Sequence, residues 1–197
     1  MRLRSLLVLL LLGLIPETFA QEKPLKRGTY AHFETSLGPF TAQLETELAP
    51  KTVANFVGLA QGTKAWKDSK TGETVFGKPY YDGLIFHRVV EGYLIQSGDP
   101  TGAGPGGPGY TIADEFSPQL RHDTAGILSM ANRGPNSGGG QFFVTLQPMM
   151  ELNKVNAAFG RIVRGMDVVR KISSTRTKNE RPVTPVVLQK VRIEIVP

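Results

Sequence analysis

The sequence has no cysteine among its 197 residues, a single tryptophan and only three histidines. Without cysteine the chain can form no disulfide, and it offers no thiol as a nucleophile or metal ligand. None of the histidines, His32, His87 and His122, has a second ligand at the spacing of a helical or hairpin metal site. No serine stands in the G-x-S-x-G motif of an α/β-hydrolase. The sequence therefore predicts no metal, no cofactor, and neither a thiol nor a serine nucleophile.

Long apolar runs are also missing, apart from one at the N-terminus. Arg2 and Arg4 precede a ten-residue apolar run, residues 6–15, and small Ala20 stands before Gln21. This order is typical of a secretory signal peptide, and the run is short for a membrane span, although an uncleaved anchor is the alternative. We expect residues 1–20 to be a signal peptide, residues 21–28 a flexible lead-in, and residues 29–197 one exported domain. We expect that domain to be periplasmic or secreted, with no stable membrane association after the leader is removed.

Charge of one sign is not concentrated in any segment. Removal of the leader takes away Arg2, Arg4 and Glu17, which leaves 21 basic and 16 acidic residues. The basic residues are scattered singly, and the densest group, residues 176–181 (RTKNER), also contains Glu180. Nucleic-acid binding needs basic side chains gathered on one surface. We therefore expect no nucleic-acid partner and interpret this group as a solvated loop.

Apolar periodicity predicts the fold class. Residues 30–44 alternate around a turn at residues 37–39, which predicts a β-hairpin. In residues 49–62 apolar side chains recur at i, i+3, i+4 and i+7 between Pro50 and Gly62, which predicts a helix. The other predicted elements are strands at 126–131, 141–146, 158–162 and 186–195, a short helix at 166–172, and a polar loop at 66–78. Many short strands with few helices predict a mainly β barrel or sandwich.

Glycines and carboxylates in the loops indicate turns rather than ligand sites. Gly102, Gly104 and Gly107 formally match the dinucleotide-binding pattern G-x-G-x-x-G. Pro105 and Pro108 interrupt the match, and no helix is predicted after it to offer amides to a pyrophosphate. We interpret these glycines as a mobile rim. Four carboxylates are interpreted as turn caps: Asp82, Asp99, Asp114 and Glu115.

Three longer segments are more specific: residues 86–99 (FHRVVEGYLIQSGD), residues 126–145 (GILSMANRGPNSGGGQFFVT) and residues 157–169 (AAFGRIVRGMDVV). In order and separation they resemble the cyclophilins, the cyclosporin-binding class of peptidyl-prolyl cis–trans isomerases. The resemblance extends over residues 29–195, and residues 101–110 and 181–195 are most similar to bacterial members. It implies a mainly β fold, a closed eight-stranded antiparallel β-barrel capped by two α-helices, with the active groove on its outer face.

The resemblance also implies roles for individual residues. The family's catalytic arginine falls on Arg88. The remaining residues of the implied substrate-binding site are Phe86, Tyr93, Leu94, Gln96, Ala131, Asn132, Gln141, Phe143, Leu152 and Asn156. Two positions depart from the common pattern, since Glu151 stands where a tryptophan is often found and Asn156 where a histidine is often found. Both belong to the pocket rim, so they bear on the affinity for cyclosporin and on how tightly proline is held.

An arginine suits this reaction. The barrier to rotation of a peptide bond, about 18–20 kcal/mol, comes from resonance between nitrogen and carbonyl. A fixed donor aimed at the twisted bond stabilises it more than either planar form, and no bond breaks. We expect Gln141 to orient Arg88. The sequence therefore predicts a monomeric isomerase of X–Pro bonds in unfolded or exposed segments of exported proteins. The alternative is a non-catalytic proline-peptide binding module or holdase chaperone that uses the same groove.

Overall fold

A computed structural model describes residues 23–197, so the predicted signal peptide lies outside the described residues. The strands are β1 (Gly28–Thr35), β2 (Gly38–Leu44), β3 (Trp66–Lys67), β4 (Thr74–Val75), β5 (Leu84–Ile85), β6 (Arg88–Val90), β7 (Leu94–Ser97), β8 (Ile127–Met130), β9 (Phe142–Thr145), β10 (Ala158–Arg164), β11 (Thr177–Lys178), β12 (Arg181–Pro182) and β13 (Val187–Val196). The helices are α1 (Pro50–Gln61), α2 (Met166–Ser173) and a 3-10 turn at Met150–Leu152. Between residues 23 and 197, no helix combines the length and apolar character that a membrane crossing requires.

Nine strands form one curled antiparallel sheet in the order β5-β13-β1-β2-β10-β8-β9-β7-β6. The edge strands β5 and β6 are consecutive in the chain, with only Phe86 and His87 between them. Within the sheet, β5 pairs only with β13 and β6 pairs only with β7, so the sheet keeps two edges. The prediction of a mainly β fold with two helices is confirmed. The prediction of eight strands closed into a barrel is not, since the sheet is open and has nine strands.

The predicted hairpin is formed by β1 and β2, which pair from Thr29↔Leu44 to Thr35↔Gly38. Phe33 and Phe40 lie directly opposite each other, and their rings stack with centroids 4.5 Å apart. The Thr35 hydroxyl closes the turn by donating to the carbonyl of Gly38 at 2.6 Å. Since side chains alternate between the two faces of a strand, this aromatic pair determines which face of the hairpin enters the core.

The predicted helix is α1, and its cap comes from a distant part of the chain. Ala49 precedes the helix and offers no side-chain hydrogen bond. Instead the Glu115 carboxylate accepts hydrogen bonds from the backbone N–H groups of Lys51 at 3.3 Å and Thr52 at 2.9 Å. A carboxylate at this end also interacts favourably with the helix dipole. The helix ends at Gly62, whose φ of 73° is left-handed.

Two short hairpins were not predicted from sequence. Strands β3 and β4 pair within residues 66–78, so the prediction of a loop there was wrong in part. Strands β11 and β12 pair within the group interpreted as a solvated loop, and their turn consists of Asn179 and Glu180. Two-residue strands are too short to show a period of two, so no sequence pattern indicates them.

Candidate active site

A row of side chains across three strands builds the centre of the site. Arg88 in β6 lies opposite Gln96 in β7, and Gln96 lies opposite Phe143 in β9. Directly opposite residues of antiparallel strands project to the same face of the sheet. Because neighbouring strands are about 4.8 Å apart, this register places Arg88 and Phe143 about 10 Å apart along the row. A cation, an amide and an aromatic ring therefore share one face.

The neighbouring row points to the other face and enters the core. Val89, Ile95, Val144 and Leu128 lie opposite one another across β6, β7, β9 and β8. Each of them is buried in the main hydrophobic core. Because side chains alternate between the two faces of a strand, the row of Arg88, Gln96 and Phe143 is backed by this close-packed core.

A groove of about 940 Å³ opens over the functional row. The predicted site residues that line it are Arg88, Tyr93, Leu94, Gln96, Ala131, Asn132, Gln141, Phe143, Leu152 and Asn156. Phe86 is different, since its side chain is 1 % exposed and belongs to the core. The tip of the β11–β12 hairpin, Asn179 and Glu180, completes the wall beside Arg88. The described residues contain no group of three or more His, Asp or Glu side chains that could hold a metal ion.

An apolar pocket lies at the Phe143 end of the row. Phe143, Leu94 and Met149 form a buried cluster against which Tyr93 and Leu152 pack. At the rim, the Tyr93 hydroxyl donates to the Glu151 carboxylate at 3.0 Å, and this hydrogen bond raises the pKa of Tyr93. The pocket thus has an apolar floor and a polar rim.

The amides of the row belong to a hydrogen-bonded network. Gln96 donates from Nε2 to Oε1 of Gln141 at 2.8 Å. Gln141 in turn donates from Nε2 to the carbonyls of Gly104 and Gly106, both at 2.7 Å. The side chain of Gln141 therefore hydrogen-bonds to Gln96 and the glycine loop. In the described part of the chain no hydrogen bond joins it to Arg88, which it was expected to orient.

Asp99 organises the glycine loop that receives these hydrogen bonds. Its Oδ1 accepts hydrogen bonds from the backbone N–H and the hydroxyl of Thr101, both at 2.7 Å, and its Oδ2 accepts one from the N–H of Gly104. Burial by itself would raise the pKa of Asp99, but the hydrogen bonds outweigh it and hold the pKa below its usual value. The prediction of a turn cap is confirmed, because the Asp99 side chain accepts from the N–H of Thr101 two residues on. The additional bond to Gly104 makes Asp99 the anchor of one groove wall.

Arg88 is held by a residue that sequence reasoning missed. Its Nε donates to Oε2 of Glu180 at 2.6 Å. The backbone makes a second link, because the N–H of Val89 donates to the carbonyl of Glu180 at 2.6 Å. The two side chains are 92 positions apart in the sequence, and no local spacing could have joined them.

Two buried histidines make the stability of the site dependent on pH. His122 stacks on the Phe143 ring, with centroids 6.1 Å apart, and its Nε2 shares a hydrogen bond with the Ser129 hydroxyl at 2.9 Å. His87 is also buried, and its Nδ1 has no hydrogen-bond partner in the described part of the chain. Burial lowers the pKa of both rings below the ordinary value of 6.5. Both are therefore held in the neutral form.

We predict that acid weakens the fold in the range below pH 6.5. In the unfolded chain these rings bind protons at about pH 6.5, whereas the folded state binds them only at a lower pH. Their contribution is thus complete above about pH 6.5 and is lost as the pH falls through the folded pKa. Urea unfolding at pH 7.5, 6.0 and 5.0 measures this loss, which should be smaller for His122→Gln. An equal loss in the variant would contradict the assignment to His122.

This geometry indicates a peptide-binding groove. A groove on the outer face of a sheet, with a small apolar pocket, hydrogen-bonding amides and a cation held by a carboxylate, fits an extended peptide with a compact apolar residue. The family model described as cyclophilin type peptidyl-prolyl cis-trans isomerase/CLD matches residues 30–193. The chain belongs to this family.

Individual relatives agree with the family match. The chain is 47% identical over 173 residues to peptidyl-prolyl cis-trans isomerase A of Mycobacterium tuberculosis, which covers 86% of this chain and 94% of that protein. It is 43% identical over 169 residues to peptidyl-prolyl cis-trans isomerase B of Streptomyces anulatus, covering 84% and 96%. The prediction of a cyclophilin peptidyl-prolyl isomerase, of the EC 5.2.1.8 type, is confirmed.

Solved structures give the same result for the fold. A crystal structure of a cyclophilin type peptidyl-prolyl cis-trans isomerase from Cryptosporidium parvum superposes with a TM-score of 0.74 at 30% identity. The match covers 86% of this chain and 99% of that one. The same protein crystallised in the presence of the dipeptide Ala-Pro has a TM-score of 0.73 at 29% identity, and the match covers 84% and 98%.

Proposed function

We propose that this protein is a bacterial, exported isomerase that accelerates rotation about X–Pro bonds in unfolded or exposed segments of other exported proteins, and so assists their folding. The N-terminal order of basic residues, apolar run and small Ala20 supports export. The likeness to mycobacterial and Streptomyces isomerases supports a bacterial origin. We further propose that one copy is sufficient, because this chain by itself supplies the cation, the amides and the apolar pocket of the groove.

The pocket around Phe143 is suited to the proline ring. Leu94 and Phe143 form its buried floor, and Tyr93 and Leu152 form its walls. Each buried CH₂ of the pyrrolidine ring contributes about 0.8 kcal/mol. A ring held in this way stays fixed while the segment before the proline rotates. At the rim, Glu151 and Tyr93 present a polar edge. The binding of cyclosporin stays a prediction, and we propose that its affinity depends on this edge.

Arg88 is the proposed catalytic residue. A guanidinium carries five N–H donors, and the hydrogen bond to Glu180 uses only the one on Nε. The four donors on the Nη atoms can therefore reach the twisted peptide bond or its displaced carbonyl oxygen. As resonance is lost, the lone pair returns to the nitrogen, which becomes an acceptor, and the carbonyl oxygen moves to a new position. Donors placed at either atom stabilise the twisted state more than the planar ones. No proton is transferred, because arginine stays protonated throughout.

The amides position the peptide that carries the proline. Gln96 lies between Arg88 and Phe143 in the row, so we propose that it contacts the substrate backbone between the pocket and the cation. Asn132 uses its side-chain N–H on the Val155 carbonyl at 2.6 Å, so we propose that it binds the substrate through its backbone. We propose the same for Ala131, which precedes it.

The observation that carries the proposal is the row itself, in which Arg88 and the Phe143 pocket share one face. A protease-coupled assay with a chromogenic proline peptide tests it. We expect the protein without residues 1–20 to accelerate cis–trans exchange in a concentration-dependent manner. If it binds the peptide without accelerating exchange, the binding-module or holdase alternative replaces the enzyme. For export, the full chain produced in a bacterium should be recovered outside the cytoplasm with Gln21 as its first residue.

A further inference from the structure

The contact between Arg88 and Glu180 unites two distant parts of the chain at the centre of the groove. Glu180 approaches from the tip of the β11–β12 hairpin, and its carboxylate accepts the Nε–H of Arg88 at 2.6 Å. The hairpin tip is also fixed to β6 by the backbone, through the Val89 N–H and the Glu180 carbonyl. The carboxylate is therefore presented to Arg88 from a fixed point.

The backbone at this tip is unfavourable for a glutamate. The turn has two residues, and both have left-handed φ angles, 51° for Asn179 and 61° for Glu180. Two-residue hairpin turns of this kind favour Asn-Gly, because glycine adopts a positive φ without steric cost. Asparagine satisfies the first preference, while glutamate departs from the second. The backbone therefore gives no reason for glutamate, and its side chain must supply one.

Stability does not supply that reason. The side chains of Arg88 and Glu180 are 41 % and 51 % exposed. Ion pairs with this exposure are screened by water and contribute little to folding. What the pair does provide is orientation, since an arginine side chain has many rotamers and a charge-assisted bond to Nε selects a few of them.

We propose that Glu180 is a positioning residue for the isomerisation. It holds the guanidinium plane of Arg88 by Nε, so that both Nη groups face the groove and the rotating bond. This inference rests on the proposed function and extends it to a residue that acts through Arg88. Because the hydrogen bond needs an acceptor more than a full charge, a glutamine at this position should retain most of the effect.

Three variants test the proposal in the proline-peptide assay. Glu180→Gly suits the turn but removes the acceptor, and we expect kcat to fall by about five- to twentyfold with KM within twofold of the wild type. Glu180→Gln should keep kcat within about threefold. Lys154→Gly is the matched control, because it removes an exposed side chain from another position of positive φ, 62°, that does not line the groove. Its kcat should stay within twofold.

Two further measurements separate positioning from a structural role. The Tm of Glu180→Gly should equal or exceed that of the wild type, so that lost activity cannot be attributed to unfolding. In NMR spectra, the Arg88 Nε–H should exchange slowly in the wild type and in Glu180→Gln, and rapidly in Glu180→Gly. The inference would be overturned if Glu180→Gly kept the kcat of the wild type, or if only its KM changed. The isomerase proposal would stand in both cases. An inactive wild type would instead overturn the proposed function.

Discussion

Replacement of Arg88 by alanine is expected to lower kcat/KM for a proline peptide at least tenfold, and by about 10²–10³ if Arg88 acts as a single oxyanion-hole donor does. The reason is that the lost donors act mainly on the twisted peptide bond, whose nitrogen regains its lone pair and becomes an acceptor as resonance is lost. Stability should change little, because the side chain is 41 % exposed and its ion pair with Glu180 is open to solvent. Exchange kinetics and thermal unfolding of the same preparation measure both effects.

A matched control exists outside the groove. Arg121 donates from Nε to Asp123 at 2.6 Å, and the two side chains are 50 % and 40 % exposed, so the pair closely resembles Arg88 with Glu180. Arg121→Ala should therefore leave the isomerisation rate within twofold of the wild type. Arg88→Lys should recover only part of the activity, because an ammonium lacks the planar fork of donors. Equal rates for Arg88→Ala and the wild type would remove Arg88 from the mechanism.

The second large effect is expected from Gly106→Ala, through the anchor of the glycine loop. A Cβ atom at position 106 would lie 1.9 Å from Oδ1 of Asp99, which is far inside van der Waals contact. Either the loop moves or Asp99 gives up hydrogen bonds to Thr101 and Gly104. Overpacking together with lost hydrogen bonds should cost about 2–3 kcal/mol of unfolding free energy. The Tm should fall by about 5–10 °C.

Activity should fall in the same variant, because the carbonyl of Gly106 is one of two that hold Gln141, and Gln141 holds Gln96. Gly107→Ala is the control for stability. Its Cβ would meet no atom within 4 Å, and neither glycine has a left-handed φ. The Tm of Gly107→Ala should stay within about 1 °C of the wild type, as surface substitutions usually do. A Gly106→Ala variant as stable as this control would show that Asp99 does not anchor the loop.

Local periodicity was sufficient wherever an element is long enough to repeat. The alternation of Phe33 with its neighbours predicted the β1–β2 hairpin, and the spacing of Val53 and Phe56 predicted α1. The same patterns indicated a mainly β domain with two helices. They could not show that the sheet stays open, because the edges depend on β5 and β6, which have only two and three residues.

The site was predicted in part, and only where a motif carried it. The resemblance pointed to Arg88, Gln96 and Phe143, and the strand register places all three on one face. Phe86 belonged to the same motif. It lies two positions before Arg88, but it precedes β6, so the alternation of that strand does not apply to it. Its side chain lies in the core and not in the groove. Glu180 was assigned to a solvated loop, since its contact with Arg88 has no trace in either local sequence.

The sequence by itself determined the longer strands and the helices and which of their faces are apolar, because these properties depend on residues a few positions apart. Only the tertiary structure decided the polar contacts between distant segments: Glu180 with Arg88 and Gln141 with the loop that Asp99 anchors, both in the groove, and Glu115 with the start of α1 outside it. Each joins segments between about 35 and 92 residues apart, and such a hydrogen bond forms only if the fold brings the two segments together. Local periodicity carries no information about which distant segments meet.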